Sequence, residues 1–235
     1  MQLRLTAAIA WTFCLLLFQP TAVLAEGLRV SPVTFEIPAP GATSNITLRN
    51  EGQRPITVQS RVFAWSQSGD ETLQATRDVV VSPPITQLAP GAVQIVRIVR
   101  TTRAPIRGEE AYRIFIDELP DQSRRNNATV NFVTRLRLPL FFVQSDARNP
   151  LVKWRILQTG NQSWLEAVNR GDAHLKLSEV SLKAGNSDVY RQNGLFGYVL
   201  GQSTMRWRLS KQVNGSQLTL EAQTNMGPYR ATLER

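Results

Sequence analysis

His174 is the one histidine of this 235-residue chain, so any Ser-His-Asp relay has to run through it. Its setting argues against that role. In AVNRGDAHLKL (167–177) it stands just ahead of alternating leucines, at the offset that Pro55 holds in the similar stretch LRNEGQRPITV (48–58), which is the place of a strand turn. The carboxylates Glu109, Glu110, Asp117 and Glu118 sit at the ends of apolar runs, where solvated charges are expected. GxSxG, HExxH and phosphate-loop patterns are absent, and Gly194, Gly197 and Gly201 fall among aromatic strand residues, where they serve turns. No group of His, Cys, Asp and Glu has the spacing of metal ligands. The expectation is a protein that is not an enzyme and uses neither metal nor cofactor.

The amino terminus sets the compartment. Arg4 precedes an apolar run at 7–18, Gln19-Pro20 interrupts it, and Val23-Leu24-Ala25 forms a small-residue cleavage pattern. The run is too short to span a bilayer easily, so residues 1–25 are expected to be a signal peptide, cut after Ala25, with no stable membrane insertion. The single cysteine, Cys14, lies inside that segment, leaving the exported chain without a disulfide or thiol nucleophile. Stability then has to come from burial, for which about 210 residues are ample.

The precursor carries a net charge of +9, a basicity that suits nucleic acid, an anionic envelope surface or an acidic protein partner. No run of Lys and Arg exceeds two residues, and the charges alternate with apolar residues at strand spacing, as in Arg135-Leu136-Arg137-Leu138. They read as solvated strand faces, and nucleic acid is not an expected partner.

The elements that must position these residues are strands. VVVSPPITQLAPGAVQIVRIVR (79–100) and EEAYRIFIDELP (109–120) are rich in Val and Ile, are broken by Pro-Pro and Pro-Gly turns, and lack helical spacing. Strands are expected at 28–37, 44–50, 56–65, 79–81, 93–99, 112–119 and 129–142, the number of an immunoglobulin-like sandwich. QSDARNP (144–150) reads as a short hinge, placing domains at 26–145 and 149–235. After it, strands are expected at 154–157, 164–169, 175–182, 198–200, 205–209, 217–222 and 230–233. Asn50, Gly52, Ile56 and Val58 recur as Asn169, Gly171, Leu175 and Leu177, a repeated strand–turn–strand unit whose Asn and Gly fit turn backbone. A looser match pairs LAPG at 88–91 with Leu200-Gly201. The fold class is all-β, with two immunoglobulin-like β-sandwich domains in tandem.

The 79–120 segment and the VSP opening at 30–32 resemble the PapD-like superfamily of periplasmic pilus and fimbrial assembly chaperones, and GLFGYVLGQSTMRW (194–207) resembles its second domain. The wording VFAWSQ, VSPPI and AYRIFI and the lack of cysteines are most similar to the archaic chaperone–usher branch. The resemblance implies a boomerang-like periplasmic protein that binds, folds and caps pilin-like subunits one to one by donor-strand complementation and hands them to an outer-membrane usher. In ATVNFVTRLRLPL (128–140) it implies Ala128, Val130 and Phe132 as donor side chains. It also implies basic residues that hold the subunit's terminal carboxylate: Arg137 matches one, Thr34 stands where the family usually has the other, and Arg113 and Arg97 are the further candidates. The alternative is a secreted immunoglobulin-like structural or adhesive module that binds through loops.

Overall fold

Alternation of apolar and polar residues fixes the architecture, because a strand of period two can bury one face and wet the other. The computed structural model describes residues 27–120, 133–215 and 217–234, and every regular element among them is a strand. The first sandwich comprises β1 (Leu28–Ser31), β2 (Phe35–Pro38), β3 (Thr43–Asn50), β4 (Ile56–Gly69), β5 (Glu71–Ala75), β6 (Val79–Ser82), β7 (Ile85–Leu88), β8 (Val93–Arg100), β9 (Glu109–Leu119) and β10 (Arg135–Val143). The second comprises β11 (Val152–Thr159), β12 (Gln162–Asn169), β13 (Leu175–Ala184), β14 (Ser187–Val199), β15 (Ser203–Arg208), β16 (Leu218–Thr224) and β17 (Gly227–Thr232).

In the first sandwich the sheet β1-β3-β8-β6 faces the run β4-β9-β10-β2, with β5 and β7 flanking β4. Ile46, Leu48, Val96 and Ile98 from one sheet meet Ile114, Ile116, Leu140 and Phe142 from the other in a core without solvent exposure. In the second, β14-β13-β16-β17 faces β11-β12-β15 around Trp154, Leu165, Leu177 and Leu220. The two sandwiches share a sheet: β15 adds to β4 in parallel through Thr204–Ser68 and Met205–Gly69.

The expected strand at 28–37 is two strands in opposite sheets. β1 pairs with β3, whereas β2 pairs with β10. Pro32 lies between them, and a residue without an N–H cannot continue a ladder. β14 begins far ahead of the expected 198–200, since its polar residues and glycines hide a strand whose register against β13 shifts repeatedly. β5 and β7 are additional short strands on the flank of β4.

The repeated turn is the same device in both sandwiches. Asn50 donates its side-chain N–H to the carbonyls of Arg54 (2.6 Å) and Leu88 (3.0 Å), and its Oδ1 accepts the Gly52 N–H (2.9 Å). Asn169 does likewise with Ala173 (2.8 Å), Leu200 (3.0 Å) and Gly171 (2.9 Å), so the looser Leu88/Leu200 correspondence is real at the level of hydrogen bonds. Both asparagines are 1% exposed, so a truncated side chain leaves polar atoms dry and unpaired. Asn50→Ala and Asn169→Ala are each expected to cost about 2–3 kcal/mol, measurable by urea denaturation; losses below ~0.5 kcal/mol would mean that water replaces the amide.

Candidate functional site

β10 is bonded along its whole length to β9, from Arg135 opposite Asp117 to Val143 opposite Glu109. Its other edge receives β2 only from Leu140 onward. Over Arg135 to Pro139 that edge therefore has no strand neighbour among the described residues. An exposed strand edge is a template for another chain, and Arg135, Arg137 and Pro139 are the residue types that keep such an edge from pairing indiscriminately.

Alternation along β10 turns Leu136, Leu138, Leu140 and Phe142 into the first core and Arg135, Arg137, Pro139 and Phe141 to the other side. The same outer face takes Asp117, Phe115 and Arg113 from β9 and Arg61, Phe63 and Trp65 from β4. Asp117 accepts hydrogen bonds of 2.5 Å from both Arg61 and Arg135. The Phe115 ring lies 5.9 Å from the Arg61 guanidinium and 5.1 Å from that of Arg137 and meets Phe63 edge-on at 5.1 Å. Arg113 stacks 3.6 Å from the Trp65 ring and bonds Glu71 at 3.3 Å. Three arginines thus share two carboxylates, and the fourth, Arg137, has no acidic partner among the described residues. This is a face on which a planar cation waits beside an open strand edge, suited to a carboxylate.

Burial pushes the Arg113 guanidinium down from its ordinary value, with Glu71 opposing. For Asp117, burial favours the proton, but the hydrogen bonds and charges of Arg61 and Arg135 outweigh it and hold the carboxyl below the usual range. A depressed carboxyl pKa stabilises the fold above the unfolded value near 4 and loses that contribution as pH falls through the folded value. Unfolding free energy is accordingly expected to drop below about pH 4, and less steeply in Asp117→Asn; an identical acid slope in the variant would remove Asp117 from the account.

Where this face reaches the second sandwich, Trp65 and Phe141 pack with Tyr198 and Leu200 in a separate apolar cluster. Gln67 mimics a strand here: its Nε2 donates to the Tyr198 carbonyl and its Oε1 accepts the Leu200 N–H, both at 2.9 Å. His174 stacks on Phe141 at 3.7 Å, and its Nδ1 lies 2.7 Å from Glu109, which also accepts the His174 backbone N–H. His174 sits in the turn as expected, yet its ring is buried as a tie between the sandwiches.

The expectation that Glu109 and Asp117 are solvated is corrected here, since their side chains are only 2% and 6% exposed. Sequence position at a strand end could not show that a partner from another strand or the other sandwich covers them. Arg61, Trp65 and Gln67 also went unnoticed as site residues, although their period-two spacing from Arg61 onward marks one continuous face.

Among the expected anchors the structure brings Arg113 and Arg137 together on one face of adjacent strands. It leaves Arg97 exposed on β8, in the opposite sheet beside Asn45 and Ser82, and Thr34 exposed between β1 and β2. Ala128, Val130 and Phe132 lie outside the described residues.

A sequence profile of the pili and flagellar-assembly chaperone family, PapD N-terminal domain, matches residues 27–145. The chain belongs to this chaperone family. No curated protein matches it by sequence. In structure this chaperone is similar to a chain of the CsuC–CsuE chaperone–tip adhesion subunit pre-assembly complex from archaic Csu pili of Acinetobacter baumannii, with TM-score 0.71, 23% identity and coverage of 88% of this chain and 98% of that one. It is also similar to the E. coli chaperone DraB (TM-score 0.61, 20% identity, 89% and 97% covered) and to a chain of the Salmonella enterica SafA pilin–SafB chaperone complex (0.61, 20%, 88% and 97%). At such identities the likeness is one of fold. The family and the two-sandwich, all-β fold expected from the sequence are both borne out.

Proposed function

We propose that this chaperone captures pilin-like subunits one to one by donor-strand complementation, caps them in the periplasm and delivers them to an outer-membrane usher. The observation that carries this reading is that, among the described residues, the edge of β10 over Arg135 to Pro139 has no strand neighbour and lies beside an arginine without an acidic partner. A subunit lacking a strand gains a backbone ladder from such an edge, and a donor segment fills its groove with alternate side chains. The complexes of related fold, CsuC with CsuE and SafB with SafA, pair a chaperone with a subunit and support the choice of partner. Export follows from a signal peptide at 1–25 cut after Ala25, and the working parts are domains at 26–145 and 149–235.

Arg137 is the leading anchor for the subunit's terminal carboxylate. Arg113 is the neighbour that completes it, although Glu71 already neutralises part of its charge. Co-expression of the exported chain with pilin-like subunits, followed by size-exclusion mass determination, is expected to yield a one-to-one complex. Arg137→Ala should weaken that complex roughly 10- to 100-fold, the worth of a charged hydrogen-bonded contact; an unchanged affinity would shift the anchor to Arg113. Subunits that stay stable alone and never co-purify would favour the adhesive module.

A further inference from the structure

The outer face of the sheet β1-β3-β8-β6 has no part in the capture just described. Ile46, Leu48, Val96 and Ile98 point to the core, so their alternates point out. Pairing aligns Arg29, Arg49 and Val93 across three strands; Ile95 and Arg97 follow on β8, and Val80 stands on β6. Val80, Val93 and Ile95 are 41%, 55% and 56% exposed. None of the four strands contains an Asp or Glu. Arg49 and Arg97 meet no carboxylate among the described residues, and Arg29 meets Glu51 at 3.2 Å at the sheet margin.

We propose that this face docks weakly and reversibly on an anionic lipid surface, its arginines on headgroup phosphates and its aliphatic side chains against the layer just beneath. Charge complementarity sets the sign of the partner, since three guanidiniums without acids on their own strands repel a second copy of this face. Side-chain composition selects lipid over an acidic protein. The outward side chains of the four strands include no aromatic, so the face lacks the large anchors on which specific protein interfaces depend. A charged bilayer needs no such complementarity, and each arginine close to it strengthens binding roughly fivefold.

The test is co-sedimentation of the purified, exported protein with vesicles of phosphatidylethanolamine doped with phosphatidylglycerol, against vesicles of phosphatidylcholine alone. Binding is expected only to the anionic vesicles, weakened by added salt, about 25-fold weaker for Arg49→Gln/Arg97→Gln and restored by Arg49→Lys/Arg97→Lys. Ile95→Ser should lower it further at unchanged charge. These positions are exposed, so circular dichroism of each variant should match the parent. Absence of binding to anionic vesicles, or equal binding by the glutamine variant, would overturn the proposal; in the latter case the cations of another surface are responsible. Binding to an acidic protein in place of the vesicles would overturn it as well.

Discussion

Replacing Val130 and Phe132 together by glutamate is expected to abolish co-purification with a pilin-like subunit while the variant itself still folds. The alternation of ATVNFVTRLRLPL leads us to expect Ala128, Val130 and Phe132 on one side, ahead of β10 in the chain. Two apolar side chains entering a subunit groove contribute roughly 1.5–3 kcal/mol each. Two carboxylates in their place would have to be desolvated without partners, at a cost of several kcal/mol more. The sum exceeds about 5 kcal/mol, more than a thousandfold in affinity. Ala128 carries the least apolar surface, so Ala128→Ser should be nearly silent. On the donor reading these side chains enter the subunit and not a core of the chaperone itself, so the isolated variant should melt with the parent. A complex of parental mass and affinity would refute the donor assignment, leaving the open β10 edge to act by backbone pairing alone.

How far the sequence reveals this arrangement depends on whether a residue's role is local. The Asn50 and Asn169 turns were legible because Asn, Gly and the following apolar pair act within a few residues of one another. The face that Arg137 takes was legible from parity along an alternating strand, whereas a part for it as an anchor is implied only by the resemblance. Asp117 was not, because its environment comes from Arg61 on β4 and Arg135 on β10, 56 and 18 residues away. Gln67 escaped for the same cause, since the backbone it bonds lies more than 130 residues on. Pro32 marks the break between β1 and β2 that a single strand at 28–37 passes over, and which sheet each piece joins is settled by packing across the sandwich. Long-range pairing therefore decided what period and turn chemistry left open, above all where the two sandwiches meet.

That junction yields the other large expected effect. Phe141 is fully buried, yet it points away from the first core; it stacks on His174 and packs with Trp65 of β4 and Tyr198 of β14 where the two sandwiches meet. Phe141→Ala should cost about 3–5 kcal/mol, as for other large aromatic truncations. The loss should fall on the coupling of the sandwiches and spare either core. What remains between them includes the Gln67 bridge, the two-residue β4–β15 pairing, the contacts of Tyr198 with Trp65 and Arg113, and the Glu109 contact of His174, whose ring loses its stacking partner. Calorimetry should accordingly show one cooperative transition in the parent and two in Phe141→Ala. Leu140→Ala is the matching control: its side chain, one residue away and equally buried, enters the first core, so it should lower that sandwich's stability without splitting the transition. Two variants with the same single, shifted transition would mean that the contact through Phe141 is ordinary core packing. A split confined to Phe141→Ala, with weaker subunit capture, would show that the Trp65–Arg113 stack next to it is held in place from across the domain boundary.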